Sequence, residues 1–214
     1  MKLVHFEKCA LLRLAMATRT HGQAHLRHVA TEVQSKFTFE SWPQELDEVD
    51  SGLEFRNGLH KGVGIAKLGI YHDGVVVQSA SNTDFLEELY SDFVTWAGAT
   101  LGLSFVETHQ SDTLFESNVI VESSKNIASP LGLMVKLQKA VGNYFRENSN
   151  MDAPFLPVGF VLSPDLNKIG GFKPVPFRIE RRSGTDFSAN LFYCTAPLKT
   201  SQHIELLEIV EAMI

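Results

Sequence analysis

The chain has 214 residues, 44% hydrophobic and 21% charged, with a formal net charge of -6. This length predicts one domain, or one with a small appendage, and the composition excludes the disordered, collagen-like and disulfide-scaffold classes. The acidic balance opposes whole-surface attraction to phosphate backbones or anionic lipid, so nucleic-acid binding would need a local basic patch.

Residues 3–18 place Leu3, Phe6, Ala10, Leu11, Leu14 and Ala15 at three-and-four spacing, which predicts an amphipathic helix. The same stretch superficially resembles a signal peptide, but Glu7 and Arg13 interrupt its apolar run. A second helix is predicted over about 21–35, with Leu26, Val29, Ala30 and Val33 on one side, before Phe37, Phe39, Trp42 and Pro43 break the pattern. Residues 40–54 hold Glu40, Glu45, Asp47, Glu48, Asp50 and Glu54 and look like a solvated connection. The predicted organisation is a helical segment over 1–40, an acidic connection over 41–62 and an α+β domain over 63–214.

From Val63 the texture changes to strand. Ile65, Leu68 and Ile70 lead into Asp73-Gly74, a pair suited to a type I′ turn, and Val75-Val76-Val77 returns on the far side. Asn82 or Thr83 can cap a helix carrying Phe85, Leu86, Leu89, Tyr90, Phe93, Val94, Trp96 and Ala97, with Gly102 placed to stop it. Val119-Ile120-Val121 reads as a central strand. Ser129-Pro130 offers a start for a helix running to Arg146, and Phe155–Leu162 reads as a strand whose Pro157 marks an edge. Phe177–Arg182 and Leu191–Thr195 form a second hairpin across Ser183-Gly184-Thr185-Asp186. The last helix starts near Thr200 and buries Ile204, Leu207, Val210 and Met213. The fold class is therefore α+β: a mainly antiparallel sheet built from hairpins, with helices packed on it and a helical segment in front.

Three groups of residues carry possible function. His21, His25, His28 and Glu32 fall within an arc of about 60° on one helix, where neighbouring imidazoles can ligate a borderline metal with help from elsewhere, such as His5 or His60. Lys168, Lys173, Arg178, Arg181 and Arg182 are interleaved with Phe172 and Phe177 and are suited to an anionic ligand or nucleic acid. Strand alternation turns Arg181 toward the core with Phe177 and Ile179, so it needs a partner, for which Glu122 is available. Finally, 15 phenylalanines is a rich share, several fall in loops or strands that need not all be buried, and Phe37, Phe39, Phe172 and Phe187 are candidates for protein contact.

No Cys-x-x-Cys, Gly-x-Ser-x-Gly or phosphate-loop spacing occurs, and no cofactor is called for. Cys9 and Cys194 predict a reduced compartment and a cytoplasmic location, and no apolar run reaches the roughly 18 residues needed for a membrane span. The expected function is a non-enzymatic protein-interaction or assembly module acting on a protein partner or on itself. The alternatives are an anion- or nucleic-acid-binding module using 168–182, and a metal-dependent enzyme using the His21, His25 and His28 face.

Overall fold

The computed structural model describes residues 1–19, 26–44, 52–107, 113–128, 133–149, 155–169 and 173–214. The elements, in order, are β1 (Lys2–Arg19), α1 (Leu26–Phe37), β2 (Leu53–His60), β3 (Val63–Ile70), β4 (Gly74–Ser79), α2 (Thr83–Leu101), β5 (Leu103–Glu107), β6 (Thr113–Glu122), α3 (Leu133–Ser149), β7 (Gly159–Leu162), β8 (Phe177–Arg181), β9 (Leu191–Ala196) and α4 (Thr200–Met213). The class is α+β with antiparallel hairpins, as the pattern of strands and turns predicts.

The chain begins with a strand, and the predicted helix over 3–18 is not formed. Cys9, Leu11 and Ala15 are the most deeply buried positions of this stretch, at even spacing as in a strand, with Ala10 at 9% exposure between two of them. β1 pairs antiparallel with β4 from Cys9 to Leu14, then with β5 from Ala15 to Arg19. The main-chain groups of β1 are thus bonded to partners distant in sequence. Such pairing overrides a local periodicity that suits a helix equally well.

The chain divides into two compact units, both drawing on β1 and β6. One comprises Phe6–Asn118 with Pro197–Thr200 and holds 9 Lys and Arg against 16 Asp and Glu; it is called the acidic unit. The other comprises Met1–His5, Val119–Ala196 and Ser201–Ile214 and holds 10 against 9; it is called the near-neutral unit.

In the acidic unit the strand order is β2-β3-β4-β1-β6, with β5 also on β1. The strand β2 occupies residues read from sequence as the end of the acidic connection. It joins β3 through Lys61 and Gly62, at φ 49° and 80°, a two-residue turn of the kind expected instead at Asp73-Gly74. At Gly74 the glycine serves a close approach, since a Cβ there would lie 2.7 Å from the Arg13 carbonyl oxygen on β1. Helix α2 begins as predicted, with Asn82 Oδ1 accepting the Phe85 N–H at 2.9 Å, and ends on Gly102 at φ 64°. Its Leu86, Leu89, Phe93 and Ala97 join Val29, Ala30, Val33 and Phe37 of α1 and the inward side chains of β2, β3 and β4 in one core.

In the near-neutral unit the order is β1-β6-β9-β8-β7. Val119, Ile120 and Val121 are buried, as befits a strand with neighbours on both sides. The hairpin of β8 and β9 forms in the register Arg178↔Thr195 to Arg181↔Phe192. The Glu211 carboxylate ties α4 down, accepting from the Ser123 hydroxyl at 2.5 Å and the Ser124 N–H at 2.9 Å. Leu207 is buried as expected, whereas Met213, near the helix end, is 81% exposed. Among the described residues, no helix is long and apolar enough to cross a membrane.

Candidate functional site

The basic strand is engaged largely with its own surroundings. Arg178 pairs with Glu180 at 3.5 Å, and Lys168 with Asp165 at 3.6 Å across one helical turn. Arg181 does need a partner, as its alternation predicts, but Glu122 is not it. Glu122 lies 3.8 Å from Lys2, and both are exposed. The guanidinium of Arg181 instead donates to the Phe187 carbonyl at 2.7 Å and lies over the rings of Phe187 and Phe192, at 4.5 and 5.2 Å. It closes the loop between β8 and β9, which explains an inward arginine without any ligand. Lys173 and Arg182 are exposed.

Of the phenylalanines proposed for contact, Phe37 and Phe39 are buried in the core of the acidic unit and cannot serve. Their ring centroids are 6.0 Å apart, and Phe39 packs 5.3 Å from Phe55. The cause is the end of α1. Thr38, at φ 49°, turns the chain back, the Phe39 N–H bonds the Gln34 carbonyl, and both rings fold inward. Phe187 is 42% exposed beneath Arg181, and Phe172 lies outside the described residues.

Among the described residues, a longer run of uncovered apolar side chains lies elsewhere, around β7. Leu156, Val158, Val161, Leu162 and Leu166 are all exposed, Leu162 at 62%. β7 has β8 as its single neighbour in the strand order, in the register Gly159↔Glu180 to Leu162↔Phe177. Pro157 precedes it and Pro164 follows it, which holds the strand to four residues. The signal was present in those prolines, but the run Phe155–Leu162 reads as a strand without showing which side chains stay dry. A second stripe runs along α3, where Leu137, Val141 and Tyr144, at helical spacing, are all exposed.

The acidic unit holds a cleft of about 500 Å³ lined by Leu59, His60, Asp92, Thr95 and Trp96 with Lys36 and Lys61. The His60 ring is nearly buried against Phe37 and Phe85, and its Nε2 lies 3.1 Å from Asp92 Oδ2. The Lys61 ammonium bridges Asp92 at 2.8 Å and Glu88 at 2.5 Å, and it holds the Asp92 carboxyl below the usual carboxylate range. The lysine and the imidazole both sit on the Asp92 carboxylate.

Of the predicted metal face, His28 and Glu32 are 4.0 Å apart at the surface, while His21 and His25 lie outside the described residues. His60, considered as a further ligand, is held by Asp92. Among the described residues, no three His, Cys, Asp or Glu side chains converge on a point that would hold an ion. Comparison with family models and with curated proteins gives no match to this chain.

Proposed function

We propose that the chain is a protein-interaction or assembly module whose working surface is the apolar edge of the near-neutral unit. The observation that carries this reading is the exposed run Leu156, Val158, Val161, Leu162 and Leu166. Exposed apolar side chains that follow one another along an edge strand, on both of its faces, are a feature of contact sites. The stripe Leu137, Val141 and Tyr144 on α3 has the i, i+4, i+7 spacing of a helix that lies against a partner. The basic strand supports an anion-binding reading less well, because Arg178, Arg181 and Lys168 each have a partner within the chain.

The test is affinity purification from the native source, comparing the wild type with a Val161→Glu, Leu162→Glu double variant. The expected result is a stoichiometric complex, homomeric or heteromeric, that the variant loses while keeping its unfolding temperature. A wild type that purifies as a bare monomer would overturn the reading.

A further inference from the structure

We propose that α3 docks on α4 of the same chain, covering Val210, Met213 and Phe160 as α1 covers their counterparts in the acidic unit, and that it is released when its apolar stripe engages a partner. The release rests on the reading above that the stripe meets a partner; the docking rests on a repeat within the chain.

The two units follow one order of elements. In the acidic unit β1 leads through α1 to the edge strand β2, and the meander β2-β3-β4 returns beside β1 before α2. In the near-neutral unit β6 leads through α3 to the edge strand β7, and β7-β8-β9 returns beside β6 before α4. Burial repeats as well. Val75, Val77, Ser79, Thr83, Leu86 and Tyr90 are buried, and so, 117 positions later, are Phe192, Cys194, Ala196, Thr200, His203 and Leu207. The first residues of α2 and α4, Thr83 and Thr200, each donate a main-chain N–H to the other's hydroxyl oxygen, at 3.0 and 2.8 Å, the reciprocal pattern of equivalent positions.

The repeat is covered in one unit and open in the other. On α2, Phe93 and Trp96 lie against Phe37 of α1, at 6.3 and 5.9 Å, and Phe93 and Ala97 are buried. At the matching positions of α4 stand Val210, Met213 and Ile214, apolar again, but Val210 is half-buried, Met213 is 81% exposed and Ile214 45%. The edge strands differ in the same sense. Phe55 on β2 shares a row with Leu68 and Val77 and is fully buried beneath Phe39, which follows α1. Phe160 on β7 shares the matching row with Ile179 and Cys194 and is only half-buried. The helix that the repeat assigns to this seat is itself uncovered: among the described residues of α3 none is buried, and Leu137, Val141 and Tyr144 face water. A helix of 17 residues that packs on nothing is marginal in water, and burial of its stripe on an apolar seat stabilises it. Lys139 and Arg146 lie opposite the stripe, at about 100° per residue, and stay hydrated on docking. Val161 and Leu162 remain outside the seat, since Arg56 and Asn57, their counterparts on β2, stay exposed beside α1.

The experiment is amide hydrogen exchange of the full chain read by mass spectrometry, at about 2 µM and about 50 µM, with protection in α3 expected at about 100-fold or more over an unfolded peptide at both concentrations. Met213→Glu should remove at least about tenfold of that protection from α3, and Tyr144→Glu at least about tenfold from residues 209–213 of α4, with β8 and β9 unchanged. Each substitution falls on an exposed position and is read on the opposite surface, so a local effect does not imitate release. Rapid exchange of α3 in the wild type, or protection that Met213→Glu leaves intact, would overturn the docking. Protection seen only at the higher concentration would give the seat to a second copy and overturn it too. In the complex isolated by the purification above, residues 209–213 should lose protection while α3 keeps it; protection retained at both would overturn the release. Rapid exchange of α3 beside an edge-dependent complex would overturn the docking alone, and a docked α3 in a chain that purifies as a bare monomer would overturn the interaction reading, and with it the release, alone.

Discussion

The two ends of the strand order are finished in different ways. At β2, in the acidic unit, a neighbouring stretch bonds to Arg56 and Asn57, and Phe39 packs against Phe55 beneath. At β7, in the near-neutral unit, two prolines shorten the strand but leave Val161 and Leu162 in water. Both devices limit the addition of a further strand, yet only the first also covers apolar surface. An edge that is shortened without being covered limits strand addition while leaving apolar side chains in water.

The comparison can be broken most decisively in the cores. Phe93 is fully buried, with the rings of Phe105, Phe37 and Trp96 at 5.5, 6.3 and 6.4 Å. Phe93→Ala should cost about 3 to 5 kcal/mol by urea unfolding, whereas Leu162→Ala at the β7 edge should change stability by no more than about 0.5 kcal/mol. Comparable losses would mean that the β7 edge is covered after all.

Next in size is Arg181, which closes the near-neutral unit's hairpin loop much as Ser41 closes β2. Arg181→Ala should cost about 2 kcal/mol, since charged hydrogen bonds and ring contacts are lost together. Arg181→Lys should recover little, because an ammonium cannot keep the flat stacking of a guanidinium. Full recovery with lysine would reduce the site to a simple charge.

Asn82→Ala, which removes the cap of α2, should cost about 1 kcal/mol on the same assay. The smallest effect is tied to pH. Glu54 on β2 accepts from Lys67 and from the Tyr71 hydroxyl, and these bonds hold its carboxyl at about 2, below its ordinary 4.5. A depressed carboxylate stabilises the fold above its ordinary value and loses that contribution as pH falls toward about 2. Water screens this partly exposed group and keeps the effect small. The urea midpoint of Glu54→Gln should therefore start slightly lower at neutral pH and decline less between pH 4.5 and 2 than that of the wild type.

Elements specified by neighbouring residues were legible in sequence. The β3–β4 and β8–β9 hairpins and the Asn82 cap with the Gly102 stop each rest on contacts within about twenty residues, and the buried face of α1 shows in its apolar periodicity although it packs on distant Phe93 and Trp96. β1 was not legible, because Leu3, Phe6, Ala10 and Leu14 satisfy a helical period and only pairing with β4 and β5 selects the strand. β2 was hidden for a different reason: Glu54, Arg56, Asn57 and Gly58 resemble a solvated loop, and Gly58 is required because a Cβ would strike the Phe39 ring. At the candidate site the inward turn of Arg181 followed from alternation, but its partner lay in the loop just ahead. The exposure of Val161 and Leu162 depends on β7 being last in order, which no residue within the strand encodes.

The division of the chain also bears on how the molecule is made. The acidic unit has all of its residues except Pro197–Thr200 once Asn118 has been synthesised. Thr200 arrives late to exchange bonds with Thr83, at 3.0 and 2.8 Å, and to lie 3.7 Å from Cys9. The near-neutral unit joins Met1–His5 to Val119–Ala196 and Ser201–Ile214, segments far apart in sequence. The start of β1 therefore finds no partner within its own unit until residues beyond Asn118 have been synthesised.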